Sequence, residues 1–111
     1  EMWIRRIELN LMTPVGMVWV HGSPITKQVM KRQIPEVAEQ NRGLVRGVFR
    51  FLDRRLADHE FLAGATYSVA DILLLCGMDF AAKLNDLPHS DEQKHLSRWY
   101  DAVSARPSSS A

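Results

Sequence analysis

A single cysteine, Cys76, in 111 residues excludes an internal disulfide, so packing and hydrogen bonding must hold this chain together. It lies within the apolar run Ile72-Leu73-Leu74-Leu75-Cys76-Gly77-Met78, with no activating neighbour in sequence, which predicts a buried and inert thiol. Long apolar runs are missing too. Asp71 and Asp79 bracket the longest one, well short of the roughly 18 to 20 residues that span a bilayer, so no membrane partner is expected. Charge of one sign is scarce: 14 Lys and Arg against 13 Asp and Glu leave a net charge of +1, which gives no field to attract nucleic acid. No segment alternates with a period of two, no Asn-Gly or Asp-Gly turn occurs, and no internal repeat is visible, which argues against hairpins, barrels and solenoids. His21, His59, His89 and His95 share no metal-ligand spacing, so they are expected at the surface with no metal between them.

What is present is ordinary for a globular domain, with 46% hydrophobic and 24% charged residues, and the length fits one domain over residues 1–111. The start, Glu1-Met2-Trp3-Ile4-Arg5-Arg6, mixes acid, aromatic and base and does not read as a secretory signal. A helical pattern is already running there without a cap, which predicts a piece of a longer chain, and the cytoplasm is the expected compartment.

Helical periodicity covers nearly everything. Ile4, Ile7, Leu11, Val15 and Val18 form one stripe of a helix from about 2 to 20, and Met2, Leu9, Met12, Gly16 and Val20 form a second, roughly opposite. Because the first stripe keeps its phase across Pro14, a kink is expected there rather than a fresh start capped by Thr13. Gly22-Ser23-Pro24 and Ile34-Pro35 enclose a short polar connection. From 35 to about 58, Ala38, Val45, Val48, Phe49, Leu52 and Leu56 make a core stripe. Arg42, Arg46, Arg50 and Arg54 recur at steps of four and fan around that helix as a solvated face, with Glu39 and Asp53 as countercharge.

The next helix start is written most clearly. Ser68 and Asp71 have the spacing of a capping box, in which the hydroxyl takes the Asp71 amide and the carboxylate takes the Ser68 amide. Tyr67 and Ile72 stand where a hydrophobic staple would pack, and the apolar run behind predicts a helix central to the core, ending before Pro88. The capping box accounts for Asp71 without a catalytic role. Ser90-Asp91-Glu92-Gln93 has the same form, followed by the stripe Leu96, Trp99, Tyr100 and Val103 up to Arg106-Pro107. The fold expected is an all-α bundle of four main helices plus short segments.

The order of these parts resembles the C-terminal helical domain of cytosolic, bacterial-type glutathione transferases over almost the whole chain. The features that carry the resemblance are the helix containing Pro14, the Arg-rich helix ending Phe51-Leu52-Asp53-Arg54-Arg55-Leu56, the series from Phe61 to Ile72 with its capped Ser-x-x-Asp, and Leu96-Ser97-Arg98-Trp99-Tyr100-Asp101. The resemblance implies a parent chain that conjugates glutathione, its co-substrate, to small hydrophobic electrophiles and that forms a homodimer. In that family glutathione and the catalytic residue belong to an N-terminal thioredoxin-like domain, nothing of which is seen in this sequence. No catalytic residue and no cofactor are therefore assigned here. The helical domain is expected to supply an electrophile-binding wall from Leu9, Met12, Thr13 and Gly16, and dimer contacts from its first two helices. Methionine suits a wall for varied apolar ligands, and Gly16 leaves room beside the helix. Some resembling enzymes carry a polar or basic group at the position of Met12, so this chain points to a purely apolar wall. Plain packing of that face against the companion domain or a dimer partner is the other reading. A protein-interaction module of the same fold, as appended to translation factors and aminoacyl-tRNA synthetases, is the alternative function.

Overall fold

The computed structural model describes residues 2–23 and 32–106; most of the expected connection before Pro35, and the tail from 107, lie outside them. Five α-helical segments are described: α1 (Met2–Ile7), α2 (Thr13–Gly22), α3 (Pro35–Ala57), α4 (Val69–Asn85) and α5 (Lys94–Ser104). A π-helical stretch, Glu8–Met12, joins α1 to α2, so the two form one continuous rod. Among the described residues the architecture is all-helical, four helices counting the rod as one; the Phe61–Gly64 pairing is a tight turn, with Gly64 at φ 137.

Proline explains the π stretch. Pro14 has no N–H to donate, and its ring crowds the carbonyl four residues before it. The rod widens by one residue just ahead of it: the Thr13 N–H reaches the Glu8 carbonyl, and the Thr13 hydroxyl donates to the same oxygen at 3.0 Å. Thr13 has helical dihedrals, φ −64 and ψ −51, so the rod does not restart there.

The core lies where the rod, α3, α4 and α5 meet. Ile7, Leu11, Val15 and Val18 from the rod are buried, as are Ala38, Val45, Phe49, Leu52 and Leu56 from α3. From α4 come Ala70, Leu74, Leu75, Met78 and Ala81, and from α5 Leu96, Trp99 and Val103. Gly77 lets the rod approach α4 closely, because a Cβ there would lie 2.8 Å from Leu11 Cδ2 and 2.9 Å from Met12 Sδ. The Asn85 amide also donates to the Val15 carbonyl at 3.0 Å, fixing α4 along α2.

Polar joints set the helix ends. Ser68 caps α4 and its N–H donates to Asp71 Oδ2 at 3.0 Å, completing the expected box. Asp86 ends α4 in the left-handed region, φ 52, with the Leu87 N–H on the Ala81 carbonyl at 2.9 Å; the stop therefore precedes Pro88. Only half of the Ser90–Gln93 box forms, within an isolated turn: the Ser90 N–H donates to Gln93 Oε1 at 3.1 Å, while Ser90 Oγ accepts from the Glu92 N–H instead of the Gln93 N–H. Helix α5 begins only at Lys94, where Asp53 Oδ1 accepts the Leu96 N–H at 2.9 Å. Asp53 thus serves a helix start and not the arginines, of which Arg42 pairs with Glu39 at 3.0 Å. At the C-terminal end of α3, Arg98 donates to the carbonyls of Leu56 and, just past the helix, His59 at 3.0 and 3.3 Å.

Two expectations are corrected. Cys76 is exposed, and so are Val69 and Ile72, so α4 is covered on most sides but open on one. Tyr67 packs edge-on against Phe61 with Arg106 over its ring at 3.9 Å, while Ile72 is 37% exposed and is no buried staple. His21, His59 and His89 are half-buried and hydrogen-bonded, to Ile34 N–H, the Arg55 carbonyl and Ser97 Oγ respectively; His95 is exposed.

Tyr100 donates its hydroxyl to Asp79, bridging α5 to α4. That bond, then burial, then the negative charges of Asp79 and Asp101 push its pKa up from 10.0 to about 12. The folded state therefore holds a proton that the unfolded chain releases near pH 10, and stability present below that pH is lost as pH rises towards 12. Denaturant midpoints should fall across this window in the wild type and fall less in Tyr100→Phe; equal slopes would count against the bridge.

Candidate functional site

The rod positions the residues singled out from the sequence, and its wide turn decides which of them meet. Leu9, 69% exposed, lies inside the π stretch, and Thr13 is the first residue of α2. Both line a shallow concavity with Ile4, Arg5 and Glu8. The Thr13 hydroxyl is engaged by the Glu8 carbonyl, so this residue presents mainly its methyl group. Met12 is half-buried and set against Gly77 of α4. Gly16 is half-buried with nothing within 4 Å of where a Cβ would stand, which leaves open space beside α2. In a uniform α-helix positions 9, 12, 13 and 16 share one face; the extra residue per turn rotates Leu9 relative to Met12 and Gly16.

A second concavity was not foreseen. Between the rod and α3 runs a groove of about 520 Å³, lined by Trp3, Ile7, Leu9 and Pro14 on one side and by Gly43, Leu44, Gly47, Val48 and Phe51 on the other. Leu44 is 53% exposed and Phe51 40%, and Gly43 and Gly47 keep the α3 wall low. At one end Trp3 stacks on Phe51 with centroids 6.2 Å apart, and the guanidinium groups of Arg6 and Arg55 sit 5.1 and 4.9 Å from the Trp3 ring. The signal in the sequence was Gly43-Leu44 and Gly47 at helical spacing, a low stripe beside apolar residues.

Asp71, by contrast, is not placed to act on a ligand. It is fully buried, and its Oδ1 accepts the Leu62 N–H at 3.1 Å and the Trp99 indole N–H at 2.8 Å, in addition to the cap bond on Oδ2. These donors make it a hydrogen-bonded joint of the core. Among the described residues, no group of three His, Cys, Asp or Glu side chains could hold a metal ion, and no helix is long and apolar enough to cross a membrane.

This arrangement has known counterparts. The chain is 31% identical over 109 residues to Glutathione S-transferase 2 of Saccharomyces cerevisiae, a match that takes in 97% of this chain and 46% of the yeast protein. The crystal structure of Gtt2 from the same yeast superposes with a TM-score of 0.90 at 30% identity, over 98% of this chain and 52% of that one. A glutathione S-transferase domain-containing protein of Marinobacter aquaeolei VT8 gives a TM-score of 0.85 at 30% identity, over 97% of this chain and 53% of that one. The chain thus spans about half the length of these relatives. Residues 15–107 match the family described as Glutathione S-transferase, C-terminal domain, and with the helical architecture of the described residues agreeing, the chain belongs to that family.

Proposed function

We propose that this chain is the helical half of a glutathione transferase, in which a thioredoxin-like companion domain binds glutathione and joins its thiolate to small hydrophobic electrophiles, in the cytoplasm. The observation that carries the reading is family membership combined with 31% identity to a glutathione S-transferase along 97% of the chain.

In this reading Leu9, Met12, Thr13 and Gly16 form the wall that meets the electrophile. The support is physical: a half-buried methionine is adaptable and polarizable, and open space adjoins the Gly16 backbone. A carboxylate at position 12 would be desolvated by an apolar ligand. Met12→Asp in the full-length enzyme is therefore expected to raise KM for a chloronitrobenzene electrophile about tenfold, with KM for glutathione little changed. Unchanged kinetics would remove the wall from this face, and no conjugation with any electrophile tried would refute the transferase reading itself.

The groove between the rod and α3 is assigned to a second copy of the protein, since its exposed Leu44 and Phe51 border a concavity of about 520 Å³ suited to an apolar anchor from a partner. Leu44→Glu should weaken dimerisation at least tenfold by analytical ultracentrifugation. A dimer of undiminished affinity would place the interface elsewhere.

A further inference from the structure

Two of the arginines that recur along α3 border a cleft. It has a volume of about 420 Å³ and lies between α3 and the turn that leads into α5, with Arg46 and Arg50 on one side and Ser90, Glu92 and Gln93 on the other. Both arginines are exposed, and among the described residues neither guanidinium has an ion-pair, hydrogen-bond or ring partner. Glu92 is the one carboxylate in the lining, so two positive charges face one negative. Exposed arginines hold a free ion weakly, but an anion tethered beside them is present at high effective concentration.

Ser90 can carry such an anion. Its side chain is exposed in the turn, Oγ accepts the Glu92 N–H at 3.1 Å, and its own proton has no acceptor among the described residues. Esterifying this hydroxyl breaks no bond of the fold, because a phosphate oxygen can take over the Glu92 N–H. Asp91 and Glu92 follow at once, an acidic flank complementary to a kinase with a basic substrate cleft.

From this we infer that Ser90 is a phosphorylation site and that Arg46 and Arg50 are the receptor for its phosphate, clasping the turn onto α3. In the modification a serine kinase transfers the γ-phosphoryl group of ATP: the Oγ–P bond forms, the bond to the β-phosphate oxygen breaks, ADP leaves, and the hydroxyl proton goes to the kinase base. Phosphoserine carries close to two negative charges and three acceptor oxygens, enough for both guanidinium groups. It also stands one turn ahead of α5, where the helix dipole favours negative charge. The inference is independent of the transferase reading, and conjugation activity does not bear on it.

Trypsin isolates the site for measurement, since the peptide of residues 84–94 contains Ser90 and no other hydroxyl side chain. Full-length protein purified from the cells that make it, with phosphatases inhibited, should yield this peptide with one added phosphate by mass spectrometry. Full-length protein with phosphoserine installed at Ser90 should show, by phosphorus NMR titration, a phosphate pKa about one pH unit below that of the free phosphopeptide. That peptide has the same acidic neighbours but no arginine receptor. Arg46→Gln together with Arg50→Gln should restore the peptide value with far-UV helicity unchanged, and Glu92→Gln should lower the pKa further. Absence of phosphate on the 84–94 peptide, a titration equal to that of the free phosphopeptide, or a lowered pKa that survives loss of both arginines would each overturn the inference.

Discussion

Replacing Asp71 with alanine should destabilise the fold by about 3–5 kcal/mol, more than the 1 kcal/mol or so that a helix cap alone contributes. The cap is only one of its bonds. Alanine would strand the N–H of Leu62, the N–H of Ser68 and the indole N–H of Trp99, in a site where Asp71, Leu62 and Trp99 are all fully buried. Each orphaned buried donor costs roughly 1–3 kcal/mol, against a total stability of about 5–15 kcal/mol for a domain of this kind. Urea unfolding followed by circular dichroism should therefore show a midpoint near or below the native range, and the variant should express poorly. Asp71→Asn retains one acceptor oxygen and should lose roughly half as much. A loss near 1 kcal/mol for Asp71→Ala would mean that the carboxylate acts as a helix cap and nothing more.

Trp99→Ala is expected to cost a similar amount, about 3–5 kcal/mol, by a different route. Its side chain is the largest of those fully buried, and it fills the space between α5 and the start of α4. Alanine leaves a void that neighbours such as Leu96 and Leu62 cannot close without moving their own helix or turn. Trp99→Phe keeps part of the volume and removes the donor, so it should lose about 2 kcal/mol. Because both substitutions break one shared bond, the double variant Asp71→Ala/Trp99→Ala should be less destabilised than the two single losses added, by about 1–3 kcal/mol. Strict additivity would show that the 2.8 Å indole–carboxylate contact contributes nothing to folding.

Local chemistry made much of this legible beforehand. Pro35 opens α3 and Ser68 caps α4, each where the residue types demand, and the buried stripes follow the apolar spacing. What could not be read depended on distant partners. Ser90–Gln93 has the form of a helix start, yet the helix starts at Lys94, where the Leu96 N–H is taken by the Asp53 carboxylate 43 residues before it. Asp71 was legible as a cap but not as the acceptor for an indole 28 residues on. Cys76 was misplaced because periodicity reveals that every face of α4 is apolar but not which body covers each face. At the candidate site, Leu9, Met12, Thr13 and Gly16 read as one face on the assumption of a uniform pitch. A hint against that assumption was present: Ile7, Leu11 and Val15 are separated by two successive steps of four, which would drift about 80° in an α-helix but are all buried.

The wide turn at Glu8–Met12 gives this end of the rod a property that side chains alone do not. It divides the helix into two separately indexed halves. Removing any one residue inside it would restore an even pitch without turning what lies ahead of it, because four residues of ordinary helix rotate about as far, roughly 400°, as the five that occupy the wide turn. Trp3 would keep its seat between Arg55 and Phe51, and the segment after Pro14 its neighbours. The rod thus carries one residue more than the alignment of its two ends requires, and spends it in re-aiming Leu9.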